Sequence, residues 1–141
     1  MKNDLDDVPG ILKPYSSGIS NYKTAGNGNN EWWLKFIQAY LACVAFADHQ
    51  VGTILDAVEV STYADNTIII FTSDHGFHLG EKDHKSKTSV WEETTRVPLV
   101  IYAPGLTPTG QTCTSPVSLI DLYPTLNTLC KLPPDPQQRW K

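Results

Sequence analysis

The chain has 141 residues, 40% hydrophobic and 18% charged, with a formal net charge of −4 and a pI near 5.4. That is enough chain for one ordinary domain with its own core, and the composition excludes a disordered polymer. The acidic balance argues against nucleic acid or an anionic membrane surface as partner.

Residues 1–30 carry few large apolar side chains and end in "TAGNGNN", so they read as a loop or arm. The start, "MKNDLDDVPG", lacks the apolar core of a signal sequence, and no apolar run is expected to approach membrane-spanning length. A helix is predicted over "EWWLKFIQAYLACVAFADHQVGTILDAVEV" (31–60). Trp33, Ile37, Tyr40, Leu41, Val44, Val51, Leu55 and Val58 recur there at three- and four-residue steps. Asn29 or Asn30 can cap its start, and "YADN" turns the chain after it.

"TIIIFT" (67–72) has no polar alternation. That predicts a strand covered on both faces, as in a parallel sheet. Residues 73–96 are polar and read as irregular. "VPLVIYAPG" (97–105) predicts a second strand, with Pro98 tolerated only near its first residue or at an edge. "SPVSLIDLYPTLNTLCKL" predicts a helix with Pro124 in its first turn or at a kink, and "PPDPQQRWK" (133–141) a Pro-rich tail. The order is α/β, with two strands where an open sheet has five or six. These elements make a slice of a sheet. Cys43, Cys113 and Cys130 show no CxxC spacing and read as small core residues, with a Cys113–Cys130 bridge left open.

The chemistry concentrates in "TSDHGFHLGEKDHKSK" (72–87). Ligands of open α/β sheets gather beyond the carboxyl ends of strands, where Ser73, Asp74, His75 and Gly76 stand. A carboxylate and an imidazole are both divalent-metal ligands. Neighbouring side chains on an extended strand point oppositely, so the backbone must turn for both to reach one ion, and Gly76 would permit the turn. Lys82, Lys85 and Lys87 could hold an anion. Metal plus lysine suits a sulfate or phosphate ester. Against that stands a plainer reading, in which an Asp-His pair merely caps a turn. His78 and His84 read as loop or surface residues, and Glu81, Lys82 and Asp83 as solvated loop. His49 beside Asp48 reads as a helix-face hydrogen-bonding residue, and Trp32 and Trp33 as packing.

"NTIIIFTSDHGFHLGEKDHKSKTSVWEETTRVPLVIYAPG" resembles the later part of the sulfatase family, within the alkaline-phosphatase-like superfamily, and the iduronate-2-sulfatase branch in particular. "TSDHG" is followed by "LGE", by a lysine thirteen residues after the aspartate, and in register by "VSLIDLYPTLNTL". "YLACVAFADHQVG" and "DLDDVP" resemble the upstream helix and loop, so the likeness covers roughly residues 4–132. It implies a partial alkaline-phosphatase-like sheet sandwiched by helices, over 31–132. It implies that Asp74 and His75 bind the metal, that the ion is calcium, and that Lys87 contacts the sulfate of a sulfate-ester substrate. On ligand softness alone, an Asp-His pair suits zinc or manganese better. Many relatives have tryptophan where this chain has Lys85, a change that bears on how firmly Lys87 is aimed. The family's lysosomal, secreted or periplasmic settings are implied no more specifically than that.

Family members use a formylglycine nucleophile made within a C/S-x-P-x-R motif, and the 141 residues contain none. The expectation is therefore a portion of a catalytic domain that lacks the N-terminal half, is inactive alone, binds metal weakly and exposes apolar surface. Two alternatives remain at this stage. One is a metal-dependent phosphohydrolase or phosphonate-ester hydrolase of the same superfamily. The other is a non-catalytic truncated paralogue acting as an interaction module.

Overall fold

The computed structural model describes residues 6, 8–10 and 30–133. Most of the 1–30 arm, Asn29 and nearly all of the 133–141 tail lie outside them. Contacts divide the chain into two units, Met1–Thr107 and Pro108–Lys141.

The first unit opens with helix α1, Glu31–Glu59, matching the periodic segment to within a residue. Asn30 precedes it in a left-handed conformation (φ 61°) and makes no side-chain cap, so the expected Asn30 cap is not formed. With φ positive, the residue does not have the extended backbone an N-cap side chain normally uses. A Glu31–Lys35 pair at 2.8 Å adds a small exposed contribution one turn in. Among the described residues the buried position and the ring contacts of α1 lie in its first turns. Trp33 is buried, stacks on Phe36 at 5.1 Å, and lies against Gly80. Tyr40 meets Phe77 at 5.3 Å. Beyond that, residues 41–50 are all exposed, Leu41, Val44 and Phe46 among them.

α1 is also long and apolar enough, by length and composition, to cross a membrane. This corrects the expectation that nothing reaches that length, because a window average passes over polar interruptions that break a continuous run. Length and composition alone do not make it a span. Asp48 sits mid-helix, and a charge at that depth in lipid costs about 3 kcal/mol.

Strand β1, Ile69–Thr72, pairs with a strand that returns after residue 98. Between them stand a short hairpin of β2 (His78–Leu79) and β3 (Lys85–Ser86) and one helical turn, α2 (Glu92–Thr95). The returning strand is β4, Leu99–Tyr102. The β1–β4 pair is antiparallel, Ile69 opposite Tyr102 and Thr72 opposite Leu99. That corrects the parallel expectation. A parallel return needs a crossover that carries the chain back along the sheet, usually on a helix, and α2 is a single turn. Nor is the strand covered on both faces along its length, since Ile69 and Ile70 are half-buried and Phe71 and Thr72 exposed. Ile69 and Ile70 point to opposite faces, so both faces are partly covered where the strand begins and open where it ends. Pro98 falls just before β4, where its missing N–H costs no ladder bond. Residues 73–96, expected to be irregular, are so at 73–77 and 87–91, and hold a hairpin and a helical turn between and after them.

The second unit contains a helical turn at Leu119–Asp121 and helix α3, Leu122–Leu129, with Pro124 in its first turn as expected. Among the described residues all three cysteines are free and exposed, which overturns their reading as core residues. The described core is correspondingly small. Its buried apolar residues are Val8, Trp33 and Ala103, and its buried polar ones His78, His84 and Thr94. Domains that bury little apolar surface are marginal alone.

Candidate active-site wall

The antiparallel return places residues 73–98 at one end of the sheet, between Thr72 and Leu99. Asp74 follows β1 directly, with its carboxylate 84% exposed. His75 is half-buried, and its Nδ1 lies 2.8 Å from the Gly76 carbonyl oxygen. A carbonyl only accepts, so Nδ1 carries the proton and donates. In the neutral ring Nε2 then keeps its lone pair, and it faces Asp74 Oδ1 at 3.6 Å. That is too long for a hydrogen bond. In that form Nε2 and Asp74 Oδ1 are two acceptors 3.6 Å apart, with the imidazole tautomer set by a backbone contact. The Ser73 hydroxyl donates to the His75 carbonyl at 2.6 Å and closes the turn that brings the two side chains together.

Gly76 makes this turn possible in a different way from the one expected. Its φ is not positive. What it provides is close approach. Its N–H donates to the Thr94 carbonyl at 2.8 Å, and a Cβ there would come within 2.0 Å of the Glu93 carbonyl oxygen. Glycine alone lets the turn carrying Asp74 and His75 dock onto α2.

The hairpin that follows is tight. Gly80 has φ 129° and faces the Trp33 ring, where a Cβ would sit 3.2 Å from the ring edge, so both conformation and space require glycine. Lys82 and Asp83 are left-handed (φ 54° and 47°), and Ser86, next to Lys87, has φ 93°. For serine this last value is strained, and strain of that kind gathers at functional sites.

His78 and His84, expected at the surface, are buried and meet edge to face at 4.9 Å. His78 is held inside by a side-chain hydrogen bond formed on folding, which a count of polar residues does not reveal. His78 Nε2 lies 2.7 Å from Ser89 Oγ, which lies 2.7 Å from Thr94 Oγ1. Thr94 Oγ1 donates its one proton to the carbonyls of Ser89 and Trp91, each at 3.0 Å. Ser89 must therefore donate to Thr94 and accept from His78. His78 Nε2 carries the proton, and its Nδ1 has no hydrogen-bond partner, with Glu81 Oε2 4.0 Å away.

Lys87 is exposed, and its ammonium forms no ion pair among the described residues. No hydrogen bond joins it to the Asp74–His75 pair. Its carbonyl accepts the Ser89 N–H at 2.9 Å. Among the described residues no group of three or more His, Cys, Asp or Glu side chains could enclose a metal. The donor set thus fits a cation as two ligands of a larger number, and not as a complete cage. Ser73 stood among the strand-end residues, but nothing in the sequence singled out Ser89 and Thr94, which complete the wall. The closest signal is "SVWEETT", a Ser followed by a short polar helix.

The family model described as "Sulfatase" matches residues 11–131. A protein named "Sulfatase" from Formosa agariphila is 42% identical over 130 residues, covering 92% of this chain and 25% of that protein. Iduronate 2-sulfatase of Mus musculus is 37% identical over 127 residues, covering 73% and 23%. Choline-sulfatase of Rhizobium meliloti is 37% identical over 103 residues, covering 73% and 20%. The chain spans about a quarter of the length of these relatives. No solved structure matches it.

Proposed function

The chain belongs to the sulfatase family, and from that premise we propose that it is one wall of a sulfuric ester hydrolase site. It corresponds to a slice of the family's sheet, residues 31–132, between an arm and a tail. Asp74 and His75 would hold a divalent cation, calcium by family likeness, as two ligands of six to eight. The cation supplies charge that polarises the sulfate oxygens. Lys87 would donate to a sulfate oxygen and offset the charge that builds there. The single observation that carries this reading is the His75 tautomer, with its Nε2 lone pair turned to Asp74 Oδ1 at 3.6 Å. A pair that merely capped a turn would have no need of it.

We infer further that the 141 residues alone turn over no sulfate ester, since they contain no C/S-x-P-x-R nucleophile motif. An assay with an aryl sulfate and calcium, on protein free of other sulfatases, is expected to show no release above background. Steady turnover would overturn the inference. Calcium calorimetry is expected to show weak binding that Asp74→Asn removes. Tight binding, or binding indifferent to Asp74, would contradict the two-ligand assignment.

The exposed apolar side chains of α1, Leu41 and Val44 on one side and Phe46 on the other, favour a second reading alongside the first, a chain that works paired with the remainder of such a domain. Size-exclusion chromatography is expected to show self-association at micromolar concentration. A strictly monomeric, freely soluble chain would count against it.

A further inference from the structure

The mechanism just proposed makes no use of the buried histidine of the hairpin. His78 is fully buried and its Nδ1 has no hydrogen-bond partner. An imidazole so placed is a poor choice for stability, since leaving a buried polar atom unpaired is costly and an aliphatic side chain would avoid it. Its one hydrogen bond, to Ser89, enters a network with two ends. Toward one end, the Ser89 N–H holds the Lys87 carbonyl at 2.9 Å. Toward the other, Ser89 Oγ holds Thr94 Oγ1, and the Thr94 carbonyl holds the Gly76 N–H at 2.8 Å. The Gly76 carbonyl in turn accepts the His75 ring proton. Thr94 is the joint, buried, bonded through its carbonyl to the metal-pair turn and through its hydroxyl to the lysine segment.

We propose that His78 is a positioning residue: through Ser89 and Thr94 it locks the segment carrying Lys87 in one frame with the Asp74–His75 turn. This rests on the reading of those three residues as cation and sulfate ligands. Ser86 at φ 93°, one residue before Lys87, adds the reason a lock is needed, because a strained backbone persists only where its surroundings hold it.

The test compares His78→Leu with His78→Gln in the full 141-residue chain. Leucine fills the space without the donor. Glutamine can present an amide N–H near the place of Nε2. Inorganic sulfate is titrated by NMR at the Lys87 side chain, with melting temperature and amide exchange at Gly76 and Ser89 measured alongside. In His78→Leu, sulfate affinity is expected to fall about tenfold, the usual cost of losing an orienting partner behind a ligand. Gly76 and Ser89 amides exchange faster, while the melting temperature holds or rises. His78→Gln restores the affinity and the slow exchange. A melting temperature that falls together with affinity in His78→Leu makes His78 merely structural and overturns the proposal. So does unchanged affinity in His78→Leu. If wild type shows no sulfate response at Lys87 while its amides respond to His78→Leu as described, the brace exists but the ligand reading fails, and the positioning role falls with it.

Discussion

The strand-end loop and the long helix invert each other. α1 has the clearest pattern in the sequence, yet its middle lies open to solvent. Residues 73–96 have almost no pattern, yet they contain all three buried polar residues of the described chain. Apolar periodicity reports which face of an element can be buried, and burial needs a partner surface. The loop brings its partners with it, because Ser89 and Thr94 are within twenty residues of His78 and the hairpin closes on Gly80 and Trp33. Stability in the described chain should therefore reside in the loop and the first turns of α1, and hardly at all in the helix's apolar middle.

That contrast can be broken by substitution. The largest effect is expected from Trp33→Ala, about 3 kcal/mol or more of lost stability, because it empties the main apolar contact beneath the hairpin. Gly76→Ala should cost about 2–3 kcal/mol, since its Cβ meets backbone that cannot swing aside, and it should remove any calcium response as well. Thr94→Val should cost about 1–3 kcal/mol by stranding Ser89 and the carbonyls its hydroxyl serves. Urea denaturation ranks all three. Ser86→Gly should gain up to about 1 kcal/mol by relieving the φ of 93°, and a loss there would mean the serine side chain matters more than its strain. Smallest of all, Val44→Lys should change stability by less than about 0.5 kcal/mol while reducing self-association on a sizing column. A loss of several kcal/mol from Val44→Lys would erase the contrast.

The same contrast accounts for what could be read beforehand. Trp33, Ile37 and Tyr40 announced α1 by spacing, and "TIIIF" announced β1 by its β-branched run. Strand direction was not legible, because an unbroken apolar run carries no sign of which way its neighbour goes. Asp74 and His75 were legible as metal-type residues at a strand end. Their shared orientation was not, since it depends on one ring nitrogen finding the Gly76 carbonyl. His78 reads as surface in the sequence because its one side-chain hydrogen bond is to Ser89, eleven positions away, and not among its neighbours in sequence. Gly76 reads in the sequence as permitting a turn, where the need is room for the backbone of Glu93 and Thr94.

The central claim is that Asp74 and His75 present two ligands to one cation. Calcium titration of the chain, followed by NMR at the histidine ring nitrogens, tests it most directly. His75 Nε2 is expected to move on adding calcium while its Nδ1, held by the Gly76 carbonyl, moves little, and His49 on the exposed face of α1 stays still. Asp74→Asn should abolish the response. A His75 Nε2 that does not respond to calcium, or a response that survives Asp74→Asn, would contradict the account.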